Sequence, residues 1–164
     1  LGYNSMADVA YAGFLRPFVS GEGSSLKKID VQGSGFGNAA AEALAELMQK
    51  QGLESIGVSS TGVTDKGLRA LGRALKVGKC SLKEVFAAEV GTDEGVTALL
   101  NGLAQCPDLE RAFFYHTPLQ EKTVEMAMNN VKNGDVWPKL EQLTVEYRDQ
   151  RYNLKSEDPL ATAS

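Results

Sequence analysis

Five segments of this chain share one pattern: Leu26-x-x-Ile29-x-Val31, Leu53-x-x-Ile56-x-Val58, Leu82-x-x-Val85-x-Ala87, Leu109-x-x-Ala112-x-Phe114 and Leu140-x-x-Leu143-x-Val145. Their first residues fall 27, 29, 27 and 31 positions apart. A unit recurring at that period cannot bury its apolar face alone, so neighbouring units must stack and share one continuous core. Such an array works through a surface rather than a deep cleft.

Each segment suits a short strand, because its last two apolar positions alternate with variable ones. A helical stretch follows each. Asn38 to Met48 comes after a Gly-rich turn, with Asn38 placed as an N-cap and Gly52 where a C-cap glycine belongs. Thr64 to Leu75 sets Leu68, Leu71 and Leu75 on one face, and Thr92 to Leu103 does the same with Val96, Leu99, Leu100 and Leu103. Gln120 to Val131 presents Val124, Met128 and Val131. Upstream, Ala7 to Phe18 forms a helix with Val9, Phe14, Leu15 and Phe18 inward, ended near Pro17 and a Gly21–Ser25 linker. A strand, a helix and a parallel strand make a right-handed crossover. Strands sit about 4.8 Å apart and helices about 10 Å, so the stack curves, with strands on the concave side and helices on the convex side.

These segments resemble the leucine-rich repeat family, in its ribonuclease-inhibitor-like subclass, over roughly residues 1 to 147. Leu53 to Leu75 and Leu82 to Leu103 carry the likeness best, with Gly67 and Gly95 in matching places as the helices open. The resemblance implies an α/β right-handed solenoid, a horseshoe with a parallel concave sheet, convex helices and about five and a half repeats. The family's ladder of Asn or Cys is replaced by Ser34, Thr61, Val90, Thr117 and Arg148, so the hydroxyls substitute in part and the ladder breaks at Val90. The opening Leu1-Gly2-Tyr3-Asn4 fits the tail of an earlier repeat.

Of the 164 residues, 43% are apolar, enough for one domain. The expected organisation is a repeat domain over 1–152, forming the C-terminal part of a longer array, with Tyr147 to Tyr152 closing its last unit and a mobile tail over 153–164. The net charge of −4 is mixed along the chain, with no basic patch that tracks phosphates, which argues against nucleic acid. No apolar run reaches the length of a membrane span. An intracellular, cytoplasmic protein is expected, with an upstream targeting segment left open. Cys80 and Cys106 precede consecutive strands. Two reduced, buried cysteines are the preferred reading, and a disulfide requires that their backbones approach. With one histidine in the chain, a structural metal site is not expected.

Gly33-Ser34-Gly35-Phe36-Gly37-Asn38 follows a strand and opens a helix, the setting of a dinucleotide fingerprint, but Asn38 displaces the third glycine and the repeat's own turn explains the segment. His116 has no nucleophilic partner in the pattern, and no G-x-S-x-G elbow is present, so no catalytic residue and no cofactor are assigned. Glu84, Glu89, Asp93 and Glu94 read as solvated strand ends and first-turn helix charges rather than a cation site.

The repeat register maps the concave face, because strand side chains alternate. One row holds Lys28, Ser55, Glu84, Arg111 and Gln142. The next holds Asp30, Gly57, Phe86, Phe113 and Thr144, and a third Gln32, Ser59, Ala88, Tyr115 and Glu146. Gly33, Ser60, Glu89, His116 and Tyr147 lie just beyond. Phe86, Phe113, Tyr115, His116 and Tyr147 therefore gather at strands three to five, rimmed by Glu84, Arg111 and Glu146. Aromatic clusters with charged rims have the composition of binding hot spots. Two alternatives stand beside a partner site: a one-residue shift would exchange Phe113 and Phe114, and the C-terminal segment would cap the aromatics from within the chain. The expected function is non-catalytic: a protein–protein interaction module, scaffold or subunit binding another protein through this face. The alternative, implied by the subclass, is a regulatory domain of an enzyme, of inhibitor or GTPase-activating type.

Overall fold

The computed structural model describes residues 7–21, 25–78, 80–148 and 150–154. Helix α1 (Asp8–Ser20) leads into β1 (Lys28–Asp30). Helix and strand then alternate: α2 (Asn38–Lys50), β2 (Ser55–Gly57), α3 (Asp65–Val77), β3 (Glu84–Phe86), α4 (Asp93–Leu103), β4 (Arg111–Phe114), α5 (Glu121–Lys132), β5 (Gln142–Tyr147) and β6 (Gln150–Leu154). The strands form one sheet in chain order, with β1 to β5 parallel and β6 antiparallel to β5. Ile29, Ile56, Val85, Ala112 and Leu143 pair along one row and are buried with Leu44, Leu71 and Leu99 of the helices. The flanking rows, Lys28 to Gln142 and Asp30 to Thr144, pair as the alternation implies.

This topology corrects the all-parallel leucine-rich repeat horseshoe. The described residues make a small α/β domain of five helices and a mixed six-stranded sheet. The physical reason lies at its end. A parallel return needs a long crossover, whereas only residues 148 and 149 separate β5 from β6, and so short a link brings the chain back antiparallel. β6 continues to Leu154, so the boundary expected at 152 falls inside a strand. The expected opening at 1–4 and the tail from 155 onward lie outside the described residues, as do residues 22–24 of the expected linker.

Pro17 does not end α1. The helix continues to Ser20 and stops at Gly21, whose left-handed backbone (φ 82°) lets its N–H reach the Phe18 carbonyl. Its buried face is Tyr11, Ala12 and Leu15, the Tyr11 ring meeting Phe36 edge-on at 5.4 Å. Val9 and Phe14, expected inward, are 75% and 45% exposed.

The hydroxyls of Ser34 and Thr61 bond within their own turns, each donating to the carbonyl three residues back (Val31 and Val58, both 2.6 Å). A ladder does run between repeats, but at the helix N-termini. Asp8 accepts from the N–H groups of Gly37, Ala39 and Ala40. Asn38 accepts from Thr64 and Gly67, Asp65 from Thr92 and Gly95, and Asp93 from Gln120. Each helix thus supplies the acceptor for the next helix's unsatisfied donors. Asn38, expected to cap its own helix, is the first residue of α2 and caps α3 instead. A Cβ at Gly67 would stand 2.8 Å from the Asn38 oxygen, which explains the small residue there. At the C-terminal ends, Gln51 rather than Gly52 follows α2.

Two further features were not expected. Cys80 and Cys106 form a disulfide with Cα atoms 5.0 Å apart, correcting the reduced reading: stacking the two preceding turns brings their backbones within bridging distance. The fully buried Trp137 donates its indole N–H to the Leu103 carbonyl at 2.8 Å, satisfying the end of α4.

Candidate functional site

The sheet face opposite the helices divides into three zones. Over β1 and β2 it is polar. Lys28 and Glu84 reach toward each other across the buried Ser55 (3.8 Å), and the Asp30 and Gln32 side chains lean over Gly57.

At its centre, over β3 and β4, lies an aromatic pair. The Phe86 and Phe113 rings stack with centroids 4.9 Å apart and planes 7° from parallel. Both are half-buried. Next to them Arg111 binds Glu84, which also faces Lys28, so the rings are rimmed by a chain of charges. The pairing Phe86↔Phe113 holds the two side chains at one level, and neighbouring parallel strands set the ring spacing. Phe114 points the other way and is fully buried, so the register exchange of Phe113 and Phe114 does not occur.

Beside β5 the C-terminal strand extends the sheet. Arg151 of β6 lies over the Tyr115 ring, its guanidinium carbon 4.7 Å from the centroid, and contacts His116 Nε2 at 2.6 Å. The other ring nitrogen, Nδ1, faces Glu146 at 3.6 Å. The Glu146 carboxylate also accepts the His116 backbone N–H at 3.0 Å and pairs with Arg151 Nε at 3.6 Å. Tyr147 pairs with Gln150 and has the Arg148 guanidinium over its ring. Tyr115, His116, Glu146 and Tyr147 are therefore engaged by the C-terminal hairpin. Glu84, Phe86, Arg111 and Phe113 are left at the open face. The eight expected residues fall into these two groups because β6 pairs along the outer edge of β5 and brings Arg151 onto the second of them.

Ser60, Glu89 and His116 share a left-handed backbone (φ 52°, 54° and 56°) where each strand turns toward its helix. In the last unit the left-handed residue is Arg148 (φ 50°), one place later than Tyr147, because Tyr147 still belongs to β5. The phosphate seat suggested by Gly33 to Asn38 is occupied: the Asp8 carboxylate takes the Gly37, Ala39 and Ala40 amides. The four acidic residues do not converge. Glu84 meets Arg111, Glu89 accepts from Ser60 Oγ at 2.7 Å, Asp93 accepts from Gln120, and Glu94 meets Arg69. Among the described residues there is no cluster of metal-ligating side chains, and no helix is long and apolar enough to cross a membrane.

No family model matches the chain, and no curated protein matches it in sequence. Among solved structures, the chain is similar to leiomodin-1 actin-binding site 2, with a TM-score of 0.65 and 17% identity over 82% of this chain and 76% of that one. At that identity the likeness is one of fold. It describes the architecture in place of the leucine-rich repeat solenoid expected from the sequence.

Proposed function

We propose that this chain is a non-catalytic protein-interaction module whose contact is the sheet face centred on Phe86 and Phe113. The stacked ring pair carries the reading. It is a preassembled, half-exposed aromatic platform held rigidly by two strands and rimmed by Glu84, Arg111 and Lys28. Covering the exposed half of each ring would contribute roughly 1 kcal/mol per ring, about half of the value for full burial, before association costs. The fold likeness to an actin-binding site of leiomodin-1 supports a protein partner and makes actin the first to assay.

The test is capture of partners from native extract, and of purified actin, by the parent chain and by Phe86→Ala/Phe113→Ala, with circular dichroism on both. A partner held by the parent and lost by the folded double variant is expected. Equal retention by both moves the contact away from this face.

A further inference from the structure

We infer that the outer groove between α3 and α4 docks an acidic peptide segment of a protein partner, a second contact separate from the sheet face. The groove has a volume of about 340 Å³ and is lined on the α3 side by Arg69, Arg73 and Lys76 and on the α4 side by Glu94, Thr97 and Asn101. Its floor is low because Gly72 and Gly102 bring the two helix backbones into contact, leaving no side chain there to fill it.

Lys66, Arg69, Arg73 and Lys76 recur at three- and four-residue steps, so they form one stripe along α3. The chain itself shows what the stripe accepts. Lys66 meets Glu42 of α2 at 2.9 Å, and Arg69 meets Glu94 of α4. Farther along, α4 presents only Thr97, Ala98 and Asn101, all neutral. Among the described residues, the exposed Arg73 and Lys76 have no ion-pair partner. Two matched cations thus run into two unmatched ones beside a groove, and carboxylates from another chain would continue the pattern.

From Arg69 to Lys76 the helix rises about 10 Å, the span of about three extended residues. That length suits a peptide with two or three acidic side chains. Glu94 at the groove's end and the net charge of −4 oppose the longer polyanion of a nucleic acid.

The test is fluorescence anisotropy with a labelled peptide of alternating Glu and Ser, titrated with the full chain at low and physiological salt. Saturable, salt-weakened binding is expected, weakened about tenfold or more by Arg73→Glu/Lys76→Glu. Lys122→Glu/Lys132→Glu on α5 makes the same change in net charge and is expected to leave affinity unchanged. Phe86→Ala/Phe113→Ala is also expected to bind the peptide normally, which separates failure here from failure of the sheet-face reading. If the charge reversal disturbs the circular dichroism spectrum, Arg73→Gln/Lys76→Gln replaces it. Absence of saturable binding, equal losses from the α3 and α5 variants, or tighter binding of a DNA oligonucleotide in the same groove would overturn the proposal.

Discussion

The Asp65 carboxylate of α3 occupies the space that a side chain on Gly95 of α4 would need, and from there it accepts the Gly95 N–H at 3.2 Å. Thr92 adds its own N–H at 2.6 Å and its hydroxyl at 2.8 Å. Burial pushes the Asp65 carboxyl upward, but the two Thr92 bonds, the Gly95 N–H and the Arg69 charge together outweigh it and hold the group below the ordinary carboxylate range.

Folding therefore lowers this pKa. The stabilisation is fully present above the ordinary value of 3.8 and is lost as the pH falls through the folded value. Asp65→Ala is expected to cost about 0.5–2 kcal/mol at neutral pH. Asp65→Asn is expected to be milder, because Asn38 already makes the equivalent bonds to Thr64 and Gly67. Urea unfolding of both variants from pH 7 downward checks this, and the Asn variant should lose stability less steeply in acid than the parent.

Where α3 and α4 cross, a Cβ on Gly72 would collide with the Ala98 carbonyl, and one on Gly102 with the Gly72 carbonyl. The obstructing atoms are backbone and cannot rotate aside. Gly72→Ala and Gly102→Ala are each expected to destabilise by about 1–3 kcal/mol, despite the usual helix preference for Ala. Gly13→Ala, in α1 with nothing within 4 Å of the added carbon, is expected to be neutral or stabilising. Thermal melts of the three variants decide it.

The two faces of β4 differ sharply in what they hold. Phe114 is fully buried whereas Phe113 is half-exposed. Phe114→Ala is expected to cost about 3–5 kcal/mol, and Phe113→Ala distinctly less. A reversed order in denaturant unfolding would refute the register and move Phe113 into the core.

Arg151 ties β6 to Tyr115, His116 and Glu146. Its ring contact is worth about 0.5–1 kcal/mol in an exposed setting. Arg151→Ala is expected to raise hydrogen exchange in β6 while leaving β1 to β4 unchanged. Exchange measured by mass spectrometry would show either that local loosening or, against expectation, no change at the hairpin.

Cys80 and Cys106 close a loop across a sequence separation of 26. Cys80→Ala/Cys106→Ala is expected to lower stability by about 2–4 kcal/mol relative to the oxidised parent. Reductant should narrow that difference, and equal stability of parent and variant without reductant would contradict a formed bond.

The residue pattern by itself determined the alternation of strand and helix, the rows of the parallel strands, and the placement of Phe86 and Phe113 opposite the core. Those depend on local periodicity: Ala112 and Phe114 must both face the helices, which leaves Phe113 no other side. What only the tertiary structure decided were relations between units. The closing segment was not legible as a strand, because whether Gln150 to Leu154 pairs with β5 depends on a two-residue reversal and a free neighbouring edge. Asn38 and Asp65 have the same side-chain chemistry whether they cap their own helix or the next, and the distance between helices selects the second. The Cys80–Cys106 bond and the Gly72–Gly102 contact rest on backbones brought together by stacking, a separation in space that spacing along the chain does not encode.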